Sequence, residues 1–184
     1  TSEVYANSIK NAKDFPTTED IDLVVKGKVS NRDSYALSKM FCEKLLELSS
    51  LNYINLRPHN IYGPNMGTRH VIPELILKMK KLNRVKIISS RQSRCFCFID
   101  DAIDQILKIS FSKLNKMTFN IGNPHEEITI KKLSLKISKI IGKKKLKLSF
   151  SNNNTKGSPQ RRQPSIKKFN KFLYKDNFVS LNDG

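Results

Sequence analysis

Short runs of β-branched and aromatic residues alternate, along most of this chain, with stretches whose apolar residues recur at helical spacing. That alternation predicts strands near 53–57, 85–88, 94–99, 117–121 and 146–150. It predicts helices near 34–48, 72–81, 101–111, 130–141 and 165–173, the last with an apolar face of Ile166, Phe169 and Phe172 or Leu173. Strands separated by helices pair in parallel, so the expected class is α/β. Turn residues fall between the elements, at Pro58, Gly63-Pro64, Gly122-Asn123-Pro124 and the polar loop 151–159. No internal repeat is present.

The 184 residues, 38% of them hydrophobic, suffice for a real core. No run of about 18 apolar residues occurs, and the chain opens on the polar Thr1-Ser2-Glu3, so neither a membrane span nor a signal peptide is read. Cys42, Cys95 and Cys97 are odd in number and lack zinc-knuckle spacing. They read as reduced thiols of a cytoplasmic protein, two of them on strands, and no metal site is expected.

A net charge of +18 raises the question of a polyanionic partner. The first 50 residues hold seven Lys/Arg against eight Asp/Glu, and the remainder 27 against eight. Lys131, Lys132, Lys136, Lys139 and Lys143 are interleaved with Ile130, Leu133, Ile137 and Ile140, the pattern of a solvated helix face. Lys, Asn and Ile are heavily used throughout, so coding bias accounts for the charge as well as a nucleic acid would. Aromatic residues are 8% and are not set among lysines as a stacking platform requires.

Tyr35 and Lys39 form a Tyr-x-x-x-Lys pair, and four residues along a helix put both side chains on one face. An ammonium beside a phenol lowers its pKa and lets tyrosinate serve as a base. With this composition chance supplies about 0.7 such pairs, so the pair means little without context.

The context is three ordered blocks, Thr1-Ser2-Glu3-Val4-Tyr5, Ser34 to Lys39, and Leu56-Arg57-Pro58-His59-Asn60-Ile61-Tyr62-Gly63-Pro64. Further blocks follow at His70 to Pro73, Ser93 to Asp101, Phe119 to Pro124 and Arg161 to Ile166. Together they resemble the extended short-chain dehydrogenases that act on nucleotide sugars, the NAD-dependent epimerases and dehydratases, including 4,6-dehydratase-like and UDP-glucuronate decarboxylase-like members. The resemblance implies a truncated Rossmann-like parallel sheet with a smaller α/β substrate-binding domain. Residues 1–63 would belong to the NAD-binding domain and 64–184 mainly to the substrate domain, with 94–116 returning to the Rossmann sheet.

Carried over, the resemblance makes Tyr35 the base and Lys39 the residue that holds the nicotinamide ribose. Thr1 would bind the sugar 4-hydroxyl, while Ser2 and Glu3 would direct the step after oxidation at carbon 4. A carboxylate at Glu3 suits 4,6-dehydration or uronate decarboxylation, both at carbon 5, better than simple epimerisation. Pro58 and His59 would lie near the nicotinamide, and Asn60, Arg94 and Arg162 would hold the nucleotide sugar, arginine forks suiting phosphate. Asp101 is expected to cap the helix that follows it. The helix carrying Tyr35, with apolar Leu37, Met40, Phe41 and Leu45, would make a homodimer.

Two departures stand out. Residues 11–22 read as an insertion and Ala6 replaces a usual glycine, which bears on the geometry of the active-site loop. None of the seven glycines forms a G-x-G-x-x-G turn, so both ends read as cut and this stretch alone should bind NAD poorly and be inactive. The competing expectations are a basic module binding nucleic acid or an anionic surface, and a non-catalytic remnant of the fold.

Overall fold

The computed structural model describes residues 1–9, 11–31, 33–153 and 158–184. Short 3-10 turns at Ser2–Tyr5 and Ala12–Asp14 lead into α1 (Asp33–Leu48), β1 (Ile54–Pro58), β2 (Ile61–Tyr62) and α2 (Val71–Lys81). There follow β3 (Arg84–Ile87), β4 (Ser93–Arg94), β5 (Cys97–Phe98), α3 (Ile99–Ser110) and β6 (Met117–Ile121). The chain continues through β7 (Ile128–Thr129), α4 (Ile130–Ile141), β8 (Lys147–Phe150), β9 (Arg161–Arg162) and α5 (Lys167–Phe172). The α/β class with parallel strand pairs is as the periodicity implies. Two compact units emerge, one of Thr1–Ile61, Cys95–Glu126 and Arg162–Gly184, the other of Tyr62–Arg94 and Glu127–Arg161.

In the first unit β1 and β6 pair in parallel, with Arg57 opposite Asn120 and Pro58 opposite Ile121. Burial of Phe119, Ile121, Ala102, Ile109, Ile166 and Phe169 against partly buried Ile54, Leu56 and Ile106 makes its main core. Removing area of this kind from water contributes roughly 25 cal/mol per Å². Helix α1 lays a narrower stripe, Ala36, Met40 and Glu43, inward, and Met40 packs on Val4 and Tyr5 of the first turn. Helix α3 is clamped to the end of β6 by Gln105, whose amide nitrogen donates to the Gly122 carbonyl at 3.0 Å and whose oxygen accepts from Gly122 N at 2.9 Å. A β-carbon on Gly122 would meet His59 Cβ and Pro164 Cγ at 3.1 Å, so the close approach of three segments there requires glycine.

Three expectations need correction. The run 94–99 is not one strand: its amides bond to different segments, Cys95 N to the Arg162 carbonyl and Cys97 N to the Asn60 carbonyl, which leaves Cys95 outside any strand. Only Cys97 is a strand residue, and all three cysteines are free. Asp101 does not cap α3, because the helix starts earlier and its N-cap is Phe98. Its buried carboxylate instead accepts from Val179 N at 2.8 Å and pairs with Lys175 at 3.1 Å, fastening the C-terminal segment.

In the second unit α2 and α4 lie against the parallel pair β3 and β8, with Val85, Ile87, Met79, Leu75, Leu133 and Ile137 buried. Thr129 accepts from Lys132 N at 3.2 Å to cap α4, and Gly142, at φ 65°, ends it. This unit carries 18 Lys/Arg and two Asp/Glu, the first 16 and 14. Among the described residues its two acids pair locally, Glu74 with Lys78 and Glu127 with Arg161, while Lys80, Lys81, Arg84, Lys86, Lys144, Lys145 and Lys147 stay exposed. The Lys143 ammonium reaches back to the Lys80 and Leu82 carbonyls at 3.0 and 3.1 Å, where a cation satisfies the open end of α2. No helix among the described residues is long and apolar enough to cross a membrane.

Candidate active site

Pro58, His59 and Asn60 follow from the carboxyl end of β1, the edge at which an α/β sheet offers its ligand crevice, and the Thr1 amine donates to the Leu56 carbonyl of the same strand at 3.3 Å. Thr1 caps the first turn, its hydroxyl accepting from Glu3 N at 3.3 Å. Ser2 is buried, and the Glu3 side chain reaches across to Arg162, with Oε1 2.6 Å from Nη2. This pair is partly open to solvent, the arginine side chain 14% exposed and the carboxylate 29%. A residue expected to act at carbon 5 and one expected to hold the substrate therefore meet directly, 159 positions apart in the chain.

Tyr35 and Lys39 lie one turn apart on the outward face of α1. Tyr35 is 51% exposed, Lys39 Nζ stands 5.8 Å from its ring centroid, and among the described residues its hydroxyl has no hydrogen-bond partner. Pro58 ends β1, and His59 follows it, its amide bonded to the Ile121 carbonyl at 2.8 Å. Asn60 has φ 43°, a left-handed conformation that asparagine tolerates. Its amide nitrogen donates to the Cys95 carbonyl at 3.0 Å.

Arg94 belongs to the second unit. It is 8% exposed, and its guanidinium donates to Gln92 Oε1, Ser158 Oγ, and the Ser93 and Gln160 carbonyls at 2.7–3.3 Å. Its fork is thus committed to holding its own loops. Among the described residues, no group of three or more His, Cys, Asp or Glu side chains could hold a metal ion.

Beneath these groups lies a buried polar network on which the sequence placed no emphasis. Arg57, 4% exposed, donates from Nε to both oxygens of Glu43 at 3.2 Å and from Nη2 to Oε2 at 2.6 Å. Its Nη1 donates to the Tyr5 hydroxyl at 2.8 Å and to the Glu19 carbonyl at 3.1 Å. Tyr5 donates onward to Asn120 Oδ1 at 2.9 Å, and burial pushes its phenol up to about 12, so it stays a neutral link. Asn120 Oδ1 also faces His59 Nε2 at 3.1 Å, while Asn120 Nδ2 donates to the Thr17 and Ser165 carbonyls. An oxygen can only accept, so His59 carries its proton on Nε2. Burial holds the imidazole neutral, with its pKa down to about 3. Glu19 accepts from Asn120 N at 2.8 Å, and burial raises its carboxyl pKa. One signal could have found this network. Glu43 sits on the Ala36–Met40 stripe of α1 and Arg57 at the centre of a strand, and opposite charges at two core positions imply each other.

Comparison with known proteins identifies the family. Residues 1–122 match the model of the NAD dependent epimerase/dehydratase family. The bifunctional polymyxin resistance protein ArnA of Wigglesworthia glossinidia brevipalpis is 32% identical over 177 residues, 87% of this chain and 25% of that protein. UDP-D-apiose/UDP-D-xylose synthase 1 of Arabidopsis thaliana is 27% identical over 173 residues, 78% of this chain and 44% of that one. The structure of UDP-glucuronic acid 4-epimerase from Bacillus cereus with UDP-glucuronic acid and NAD superposes with a TM-score of 0.80 at 26% identity, over all of this chain and 56% of that chain. The chain therefore spans less than half of these curated relatives and just over half of that solved chain. With a family match across two thirds of its length, the chain belongs to the NAD dependent epimerase/dehydratase family.

Proposed function

We propose that this chain is the sugar-handling part of an enzyme that oxidises a nucleotide sugar at carbon 4 and then removes water or carbon dioxide, with Glu3 assisting at carbon 5. The Glu3–Arg162 pair carries this reading. It holds a carboxylate beside the turn of Thr1, in the same unit as the helix of Tyr35 and Lys39.

The roles follow from the groups present. Tyr35 takes the proton of the 4-hydroxyl, Thr1 orients that hydroxyl, and Lys39 anchors the nicotinamide ribose beside the phenol. Exposed Lys39 on α1 and Pro58–His59 at the end of β1 fit the nicotinamide end of the cofactor, whereas the chain has no glycine-rich turn for the pyrophosphate. When bound, NAD supplies a hydride acceptor at carbon 4 and later a hydride donor. The resulting 4-ketone acidifies the carbon 5 hydrogen, which Glu3 can accept before hydroxide leaves carbon 6. In a uronate the same ketone is β to the carboxylate, which departs as carbon dioxide while carbon 5 takes a proton. Arg162, loosened from Glu3, and Asn60 would hold the anionic substrate, with Arg94 keeping the loops of the second unit in place. Nucleotide sugar, rather than nucleic acid, is the partner this site suits.

The test is to incubate the full-length protein and NAD with UDP-glucuronic acid and, separately, dTDP-glucose, and to analyse products by mass spectrometry. Loss of 44 Da identifies decarboxylation and loss of 18 Da dehydration, and Glu3→Gln should abolish whichever occurs. Turnover of neither, or an epimer of unchanged mass made equally well by Glu3→Gln, overturns the assignment. The open face of α1, with Phe41 65%, Leu45 50% and Leu48 85% exposed, supports a homodimer. Leu45→Glu should then give a monomer in sedimentation.

A further inference from the structure

We infer that the buried Glu43–Arg57 ion pair is a positioning device for the reaction, locking the helix of Tyr35 and Lys39 to the turn of Thr1 and Glu3 through Tyr5. The inference rests on the reading just proposed and names residues that act through others, touching neither substrate nor cofactor.

The geometry is specific. Glu43 lies one turn beyond Lys39 and two turns beyond Tyr35 along the same side of α1, rotated far enough toward the core to be buried where they are exposed. Arg57 meets it with a two-pronged contact, Nε and Nη2 together, which fixes the helix in rotation as well as distance. The remaining prong grips the Tyr5 hydroxyl, two residues after Glu3, and the guanidinium carbon lies 4.9 Å from the Tyr5 ring centroid. The same nitrogen binds the Glu19 carbonyl, so one side chain on β1 ties together three separate segments. Packing alone would join α1 to the turn through Met40, Val4 and Tyr5, but such apolar contacts tolerate sliding. A fork on a carboxylate does not, and general acid–base chemistry between groups on two segments depends on tenths of an ångström.

A buried ion pair contributes little net stability relative to apolar residues of like size, whereas breaking it from one side costs much. That asymmetry separates positioning from stability. The experiment compares, in the full-length protein, Glu43→Gln, Arg57→Met and the double replacement Glu43→Leu with Arg57→Met. Thermal midpoint, kcat, and KM for UDP-glucuronic acid or dTDP-glucose, whichever is turned over, are read for each, with Tyr35→Phe in parallel. The single variants should lose thermal stability. The double variant should recover it, yet keep a kcat at least about tenfold below wild type with KM within about threefold, because Tyr5 and α1 have lost their common clamp. A double variant that regains both midpoint and kcat overturns the inference, and so does one that fails to fold, since the pair is then structural. If Tyr35→Phe turns over within tenfold of wild type, the active-site reading falls by itself. If Tyr35→Phe is dead and the double variant fully active, the positioning role alone is lost.

Discussion

The two units use charge in opposite ways. The first, with 16 basic and 14 acidic residues, draws several inward: Arg57, Glu43, Glu19 and Asp101 are all at most 8% exposed and all have partners. The second holds 18 basic residues against two acidic ones and, among the described residues, buries Arg94 alone of them. Charge buried with a partner fixes geometry, because each group is costly to leave unpaired. Charge spread over a surface fixes little, since water and salt screen it. The first unit is accordingly where the groups proposed for chemistry lie, and the second can vary its surface with little effect on the fold.

The sharpest break in this comparison should come from Tyr35. Tyr35→Phe in the full-length protein removes the proposed base and is expected to lower kcat by roughly 10²- to 10⁴-fold while NAD affinity, measured by fluorescence titration, changes little. Next in size is Arg57→Met alone, which strands a buried Glu43 carboxylate. Chemical denaturation should show a loss of about 3–5 kcal/mol.

A third effect concerns pH. The pKa of His59 is about 6.5 unfolded and about 3 folded, so between these values the unfolded chain binds a proton that the native state refuses. Its contribution to stability is complete above pH 6.5 and falls by about 1.4 kcal/mol for each pH unit below that, down to about pH 3. Glu19, whose carboxyl pKa is raised by burial, works in the opposite direction, so the effect is read as the difference between wild type and His59→Gln. Denaturation midpoints that kept the same gap at pH 7 and pH 5 would remove His59 from the account.

The smallest effect should be that of the lysines. Replacing Lys144, Lys145 and Lys147 together by Gln is expected to shift the thermal midpoint by no more than about 2 °C. Any binding to duplex DNA should be weak, independent of sequence, and reduced on the order of 10³-fold between about 50 and 200 mM salt. Nucleotide-sugar affinity should survive that titration. DNA binding that was tight and resistant to salt, with no nucleotide-sugar affinity, would turn the comparison round and make the basic unit the functional one.

Periodicity and local motifs determined a good deal. Helix α4 runs where its apolar spacing puts it, because it buries one face and exposes the other over enough residues for the pattern to be unambiguous, and strand β6 follows its run of β-formers although no residue of it is exposed. The ordered blocks pointed to the family for a related reason, as short motifs at turns and strand ends record local backbone demands. What the sequence could not decide was who meets whom. Nothing local to Glu3 names Arg162, and nothing in Leu-Arg-Pro says that Arg57 spends its fork on Glu43, Tyr5 and Glu19. Asp101 looked like a cap and became an anchor for the chain's last segment, and Arg94 looked like a free phosphate-binding fork and is spent on its own loops. Pairings of this kind span tens to over a hundred residues, and their strength comes from the loss of water around both partners at once. That loss exists only when the tertiary structure has brought them together.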